Sequence, residues 1–321
     1  MIASKHLARH SRIRPNPAQL LRHIPKPRDR SIHATSVLGR ARHYSSASDG
    51  DPRLKALGRR IEDDYARIRE NYATPKLPVV LAHGLLGFAE LKVAGSLLPP
   101  LHYWWGIAEA LRANGVEVIT AAVPPSGSIE QRAEKLGEHI AQSAHGRSVN
   151  IVAHSMGGLD ARYMISHLQP KNVDVRSLVT VATPHHGSAF ADFVFDEIGE
   201  ERLPRLYSFA RRLGVETGAF SQLTQKYMTQ DFNPKTPDDP TVQYFSYGAM
   251  MNRPPLLSPL RTTWQVVQNA EGPNDGLVSV ESSQWGKYKG TLVEIWFGKD
   301  PRFNAVAFYL DIADMLAKEG L

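Results

Sequence analysis

Residues 148–168 read SVNIVAHSMGGLDARYMISHL. The first seven residues are typical of a buried parallel strand, and the residues from Gly158 onward have helical spacing. Between them lies a turn centred on Ser155, with Ala153 two residues before it and Gly157 two residues after it. A strained strand-to-helix turn needs small residues at both positions, where Ala153 departs mildly from the usual glycine, and it exposes the serine hydroxyl. The pattern predicts a nucleophilic serine, and the alternative is an ordinary turn with an incidental serine.

Strand and helix patterns alternate on both sides of this turn. This order predicts an α/β fold, with a mostly parallel sheet and helices on both faces. Helices are predicted at 52–72, 129–143, 158–168 and 303–318, and strands at 77–83, 116–123, 148–154, 178–182, 264–269 and 292–297.

A long interruption covers residues 189–260. Residues 193–227 have helical spacing, and residues 231–240 read as a polar, proline-rich loop. An insertion at this point lies above the carboxyl ends of the strands, where α/β proteins bind ligands. It is predicted to be a lid or a fixed cap, and the sequence does not choose between them.

The bulk composition narrows the function classes. The 321 residues include no cysteine, which excludes disulfides, thiolate metal sites and a cysteine nucleophile. No apolar run reaches about 18 residues, so no transmembrane helix is predicted. Residues 1–44 carry a net charge of +9 and residues 45–321 a net charge of −3. The mildly acidic remainder argues against nucleic acid as a partner.

Residues 1–44 are rich in arginine and histidine, with Asp29 as their single acid. This composition is typical of a mitochondrial transit peptide, and Arg42 to Ser45 resembles a matrix-protease cleavage site. The alternative is a disordered basic tail on a cytoplasmic protein. The predicted organisation is therefore a transit peptide at 1–44, a linker with an amphipathic helix at 45–76, and one domain at 77–321.

A second motif complements Ser155. His83-Gly84-Leu85-Leu86-Gly87 follows the first strand of the domain, where glycines let the main chain approach a bound carbonyl. The backbone N–H groups of Leu85 and Met156 are the predicted oxyanion donors. His83 is expected to shape this loop rather than to act as a base.

The acid is assigned to Asp275, but the base is missing. Asp275 lies in an Asn-Asp-Gly turn downstream of Ser155, in the order serine, acid, histidine; a plain turn is the alternative. No histidine follows His186, so no general-base histidine occupies the expected place after the last strand. A rearranged triad using His185 or His186, or a role for Lys299, is the weaker substitute.

Four motifs together resemble the triacylglycerol lipase family, in the branch of bacterial class I lipases and their fungal relatives. They are LAHGLLGF at 81–88, VAHSMGGLDARY at 152–163, TPHHGSAFAD at 183–192 and NDGLV at 274–278. The resemblance implies an α/β-hydrolase fold and hydrolysis of carboxylic esters of lipids. It also implies Ser155 as nucleophile, Asp275 as acid, and the amides of Leu85 and Met156 as oxyanion donors.

The chain departs from that family where the histidine should stand. The family has a His-x-Asp segment after the last strand, whereas this chain passes from residues 294–297 almost directly into its terminal helix. Deletion of one short segment explains this, with a mispredicted splice junction as the leading hypothesis and true loss of catalysis as the rival. Bacterial members also hold a calcium ion near this segment, which we do not extend to this chain, so no metal or other cofactor is predicted.

The predicted partner is a lipid or acyl-ester substrate, with a transient contact to a membrane or lipid surface. Two hypotheses compete: an active lipase or esterase, and a catalytically impaired protein that binds an acyl lipid or a protein partner through the same pocket. Acyl transfer and thioester cleavage use the same acyl-enzyme, so the sequence leaves them open. It also leaves the oligomeric state open.

Overall fold

One parallel sheet organises the molecule. A computed structural model describes residues 57–61, 67–85, 103–104, 106–196, 220–258, 260–293 and 303–321. Within these ranges seven strands lie in the order β1-β7-β6-β5-β4-β2-β3, and every neighbouring pair is parallel. The strands are β1 (Arg60–Ile61), β2 (Val79–Ala82), β3 (Val118–Ala121), β4 (Ser148–His154), β5 (Asp174–Val181), β6 (Gln243–Met250) and β7 (Lys287–Val293).

Helices cover both faces of the sheet. They are α1 (Ile107–Ala113), α2 (Ile129–Ala144), α3 (Gly157–Tyr163), α4 (Ala189–Asp196), α5 (Gln225–Tyr227), α6 (Asn233–Lys235), α7 (Arg261–Ala270) and α8 (Ala305–Lys318). A π-helical turn, Met164–Leu168, extends α3, and a second, Met228–Phe232, joins α5 to α6. The sheet with its two helical layers confirms the predicted α/β fold.

Successive strand residues point to opposite faces and build two cores. Leu81 and Val152 pack with α1 and α8 on one face, whereas Val80 and Ile151 pack with α2 and α3 on the other. Burying each such side chain stabilises the fold by roughly 1.5–3 kcal/mol. Because both faces are covered, the central strands are apolar without alternation.

Several predictions are confirmed within a few residues: the strands at 116–123, 148–154 and 178–182, and the helices at 129–143, 158–168 and 303–318. The predicted strand at 264–269 is wrong, because these residues belong to α7. Trp264 and Val267 are its buried residues, and their spacing of three is a helical spacing.

The predicted helix at 52–72 is also wrong where the structure describes it. Arg60 and Ile61 form β1 instead, pairing with Thr291 and Leu292 of β7. Ile61 is buried in this pairing, and residues 67–72 are not helical. Burial at the sheet edge outweighs the helical spacing of the surrounding residues.

The interruption predicted at 189–260 extends too far. Its residues 243–250 form β6, which lies between β5 and β7 in the sheet. The predicted loop at 231–240 is wrong in its first half, where a π-helical turn and α6 occupy residues 228–235. Residues 197–219, which hold most of the helical part predicted at 193–227, lie outside the described residues.

Residues 1–56 lie outside the described residues, so the transit peptide stays a prediction. The same holds for residues 294–302, which include Lys299 and the end of the strand predicted at 292–297. In the part of the chain that the structure describes, no helix combines the length and apolarity needed to cross a membrane.

Candidate active site

Ser155 lies in a strained turn between β4 and α3. Its φ angle is +54°, in the left-handed region that non-glycine residues rarely adopt. Its N–H donates to the carbonyl of Val181 at 2.9 Å, and its own carbonyl accepts from the Thr183 hydroxyl at 2.7 Å and from the N–H of Gly158 at 3.1 Å. These bonds fix the main chain on both sides of a partly exposed serine.

The loop after β2 packs directly on this turn. A Cβ added at Gly84 would lie 2.7 Å from Ser155 Cβ and 3.1 Å from Ser155 Oγ. A Cβ added at Gly157 would lie 2.7 Å from the His83 carbonyl oxygen. Both positions therefore exclude any side chain, which explains the glycines in the two motifs.

The structure brings the predicted oxyanion residues beside Ser155. Met156 is fully buried in a small apolar cluster, and Leu85 packs against the same cluster. Leu85 directly follows Gly84, and a Cβ added at Gly84 would point at Ser155. The turn and the loop thus form one assembly that carries both predicted donors.

His83 shapes the loop, as predicted. Its Nε2 accepts from the N–H of Val123 at 3.3 Å, so Nδ1 carries the proton and donates to the carbonyl of Gly84 at 3.0 Å. Burial, with a smaller contribution from the nearby Arg132 charge, lowers the pKa of His83 to about 4. The ring is therefore neutral at pH 7, and both of its nitrogens are occupied.

A buried ion pair supports the same loop and was not predicted. Arg132 of α2 donates through Nη2 to the carbonyl of His83 at 2.8 Å and through Nε to Asp160 Oδ2 of α3 at 2.9 Å. Both side chains are essentially unexposed. Burial raises the pKa of Asp160 to about 6, although its attraction to Arg132 opposes this. The sequence signal was Arg132 itself, a cation on the apolar face of α2.

Tyr103 and His154 form a second unpredicted pair next to Ser155. The Tyr103 hydroxyl hydrogen-bonds His154 Nδ1, and the Tyr103 ring lies between the rings of His83 and His154. Burial lowers the pKa of His154 to about 4. His154 is therefore neutral at pH 7 and already bonded to a phenol.

Asp275 closes a tight turn after α7. Its Oδ1 accepts from the N–H groups of Leu277 at 3.0 Å and Val278 at 2.8 Å. Burial raises the pKa of Asp275 to about 6, and these N–H bonds offset part of the effect. The preceding residue, Asn274, is buried and accepts the N–H of Gly276 at 2.8 Å. The element that precedes this turn is helix α7, rather than the strand predicted at 264–269.

The motif at residues 183–189 joins the serine turn to the acid turn. At one end, Thr183 donates to the Ser155 carbonyl. At the other, the Ser188 hydroxyl donates to the Leu277 carbonyl at 2.5 Å, and the Ala189 N–H donates to Glu271 Oε1 at 2.5 Å. Among the described hydrogen bonds, none joins Asp275 to Ser155.

None of the described histidines fills that third position, since none hydrogen-bonds to Ser155 or Asp275. His185 is buried against Thr180 and Arg162, and burial lowers its pKa well below the usual value. His186 Nδ1 pairs with the carbonyl of Ser282 at 3.3 Å. The described hydrogen bonds of His185 and His186 thus give no support to a rearranged triad that uses either residue. Among the described residues, no three histidine, aspartate or glutamate side chains are grouped so that they could hold a metal ion.

Comparison with solved structures supports the fold. A metagenomic carboxyl esterase, MGS0156, is 20% identical, with a TM-score of 0.62 over 79% of each chain. The mature Bacillus licheniformis lipase BlEst2 is 22% identical, with a TM-score of 0.57 over 79% of this chain and 96% of that one. The protein has the α/β-hydrolase fold.

Sequence comparison narrows this class. The protein called triacylglycerol lipase 2 in Saccharomyces cerevisiae is 34% identical over 320 residues, covering 80% of this chain and 96% of the yeast protein. A Pseudomonas fragi triacylglycerol lipase is 27% identical over 77% of this chain and 98% of its own length. A model described as a domain of unknown function (DUF7379) matches residues 125–200. The chain belongs to the triacylglycerol lipase family, whose members are carboxylic-ester hydrolases.

Proposed function

We propose that the protein hydrolyses carboxylic esters of lipids through an acyl-enzyme on Ser155. The observation that carries this proposal is the positive φ angle of Ser155, in a turn that Gly84 approaches so closely that an added Cβ would lie 2.7 Å from Ser155 Cβ. Such strain persists only where the surroundings enforce it, and it clusters at functional sites. The family supports a lipid ester as the substrate.

The proposed reaction has two steps. Ser155 Oγ attacks the ester carbonyl carbon as a base takes its proton, and the oxyanion accepts hydrogen bonds from the N–H groups of Leu85 and Met156. The alcohol leaves with that proton, and water then attacks the acyl-enzyme to release the fatty acid. Asp275 is proposed to orient and stabilise the base.

The base is the missing part, and it motivates a second candidate function. No histidine follows His186, and no side chain of the described histidines hydrogen-bonds to Ser155. The second candidate is a catalytically impaired protein that binds a lipid ester in the same pocket. Loss of a triad base lowers the rate by several powers of ten, although the oxyanion donors and binding leave residual turnover.

A fluorophosphonate probe on the full chain separates the two. The first candidate expects fast labelling that mass spectrometry maps to Ser155, with hydrolysis of tributyrin at least about 10³-fold faster than in Ser155→Ala. Ser148→Ala is the matched control, because it changes a serine at the opposite end of β4. The second candidate predicts that Ser155 is not labelled. It also predicts that wild type and Ser155→Ala bind a fluorescent acyl lipid equally well.

Sequencing the transcript across residues 294–303 tests the origin of the gap. A message that encodes an additional His-x-Asp segment there supplies the base and supports the hydrolase. An intact message without a histidine codon refutes the splice hypothesis.

A further inference from the structure

The segment between β6 and α7 presents two leucines to solvent. Leu256 is 79% exposed and Leu257 is 95% exposed. They are the central residues of a turn closed by the Ser258 N–H, which donates to the Pro255 carbonyl at 2.9 Å. Arg261 fixes the base of the turn by donating to the Pro254 carbonyl at 2.5 Å. The backbone therefore holds both leucines outward, and we call residues 253–258 the leucine turn.

The residues on either side of the leucine turn contact the acid turn, at the carboxyl ends of the strands, where Ser155 also lies. Met251 donates to the carbonyl of Asn274 at 2.9 Å, and a Cβ added at Gly276 would lie 3.6 Å from the Leu260 side chain. Leu277, beside Asp275, is itself 46% exposed. Because β4 and β6 run parallel in one sheet, the residues that follow them emerge at the same edge.

The charge around the leucine turn selects its partner. Residues 251–270 contain Arg253 and Arg261 and no aspartate or glutamate, whereas residues 45–321 as a whole carry a net charge of −3. Arg253 is exposed and precedes the leucines by three residues. Exposed leucines flanked by arginine match a surface with an acyl layer beneath phosphate groups.

We propose that the leucine turn docks on an anionic phospholipid bilayer, with Leu256 and Leu257 in the acyl boundary and Arg253 near the phosphates. Scattered exposed leucines are ordinary on a protein surface, whereas two adjacent ones on one turn form a contiguous apolar patch, the kind of feature that marks an interaction site. The docking rests on these observations alone. Docking would also bring the end of the sheet that carries Ser155 to lipid esters. This consequence rests on the proposed function.

Vesicle flotation of the full chain tests the docking. Wild type is expected to float with phosphatidylcholine vesicles containing 30% phosphatidylglycerol. The double variant Leu256→Ser/Leu257→Ser is expected to lower the partition coefficient at least about tenfold, because it removes two apolar anchors. Arg253→Gln is expected to lower it about fivefold on these vesicles and to have no effect on pure phosphatidylcholine. Ile68→Ser, at another exposed apolar side chain, is the control and leaves flotation unchanged.

Equal flotation of wild type and the double serine variant overturns the proposal, as does equal binding to both vesicle types. A double variant that instead dissociates an oligomer on size exclusion overturns it in favour of self-association. Circular dichroism checks that the variants fold. Ser155 labelling without vesicles separates the two ideas, since failed labelling with normal flotation removes only the proposed hydrolase.

Discussion

The serine turn around Ser155 and the acid turn around Asp275 both lie at the carboxyl ends of the parallel strands, but different interactions hold them. Around Ser155 the main chain is packed so closely that neither Gly84 nor Gly157 has room for a Cβ. Around Asp275 a carboxylate and the Asn274 amide hold the turn through hydrogen bonds to backbone N–H groups. The serine turn should therefore respond to added volume and lost support, and the acid turn to pH.

The largest expected effect concerns the support beneath the serine turn. Arg132→Met should lower the free energy of unfolding by about 3–5 kcal/mol, because it leaves Asp160 and the His83 carbonyl buried without their partner. It should also slow fluorophosphonate labelling of Ser155, since the His83 loop carries Leu85. Urea denaturation and labelling rates measure the two effects.

Arg147→Met is the matched control for Arg132, because it breaks an exposed pair with Glu117. It should change neither measurement detectably. Adding Asp160→Leu to Arg132→Met should restore part of the lost stability, since both buried charges are then gone. A double variant as unstable as the sum of the two single variants would contradict this account.

The next effect tests the close packing itself. Gly157→Ala places a Cβ 2.7 Å from the His83 carbonyl oxygen and 2.8 Å from that of Ala82, both backbone atoms. It should cost about 2–4 kcal/mol of unfolding free energy and abolish Ser155 labelling. Gly146→Ala is the control, because a Cβ there meets nothing within 4 Å and carries only the cost of a positive φ angle, about 1–2 kcal/mol. Equal stability of the two variants would show that the turn yields where we describe it as rigid.

This contrast also explains how much the sequence predicts. The serine turn follows from neighbouring residues alone, since an apolar strand, a serine and flanking small residues leave few other arrangements. β4 likewise carries its own apolar run, and α2 carries its own helical spacing and a capping box. These local signals predict the fold and the place of Ser155.

Long-range contacts account for what the sequence does not predict. β6 reads QYFSYGAM and lacks an aliphatic run, and it is a strand because β5 and β7 flank it. The contact between Arg132 and the His83 carbonyl joins residues 49 positions apart. Spacing within one element carries no information about such partners.

The smallest expected effect is the pH dependence of the acid turn. Burial raises the pKa of Asp275 to about 6, above the value of about 3.9 expected in the unfolded chain. The protonated carboxyl is thus favoured by folding, so its stabilising contribution is full below pH 4 and is lost as the pH rises through 6. The unfolding free energy of wild type minus that of Asp275→Asn should therefore fall between pH 4 and pH 7. We expect a fall of about 1–2 kcal/mol, less than the full pKa difference would give, because Asp275 is partly exposed and solvent screens its charge.

Asp239 supplies the control for this sign, because it forms a similar turn by accepting from the Thr241 N–H at 2.8 Å. The Thr241 hydroxyl and N–H bonds lower the pKa of Asp239, so its contribution is present above pH 4 and is lost as the pH falls through the lowered pKa. Urea denaturation of wild type, Asp275→Asn and Asp239→Asn from pH 3 to pH 8 should therefore give opposite slopes. A flat difference for Asp275 would mean that its two N–H bonds fully offset burial, and the acid turn would then be as insensitive to pH as the serine turn.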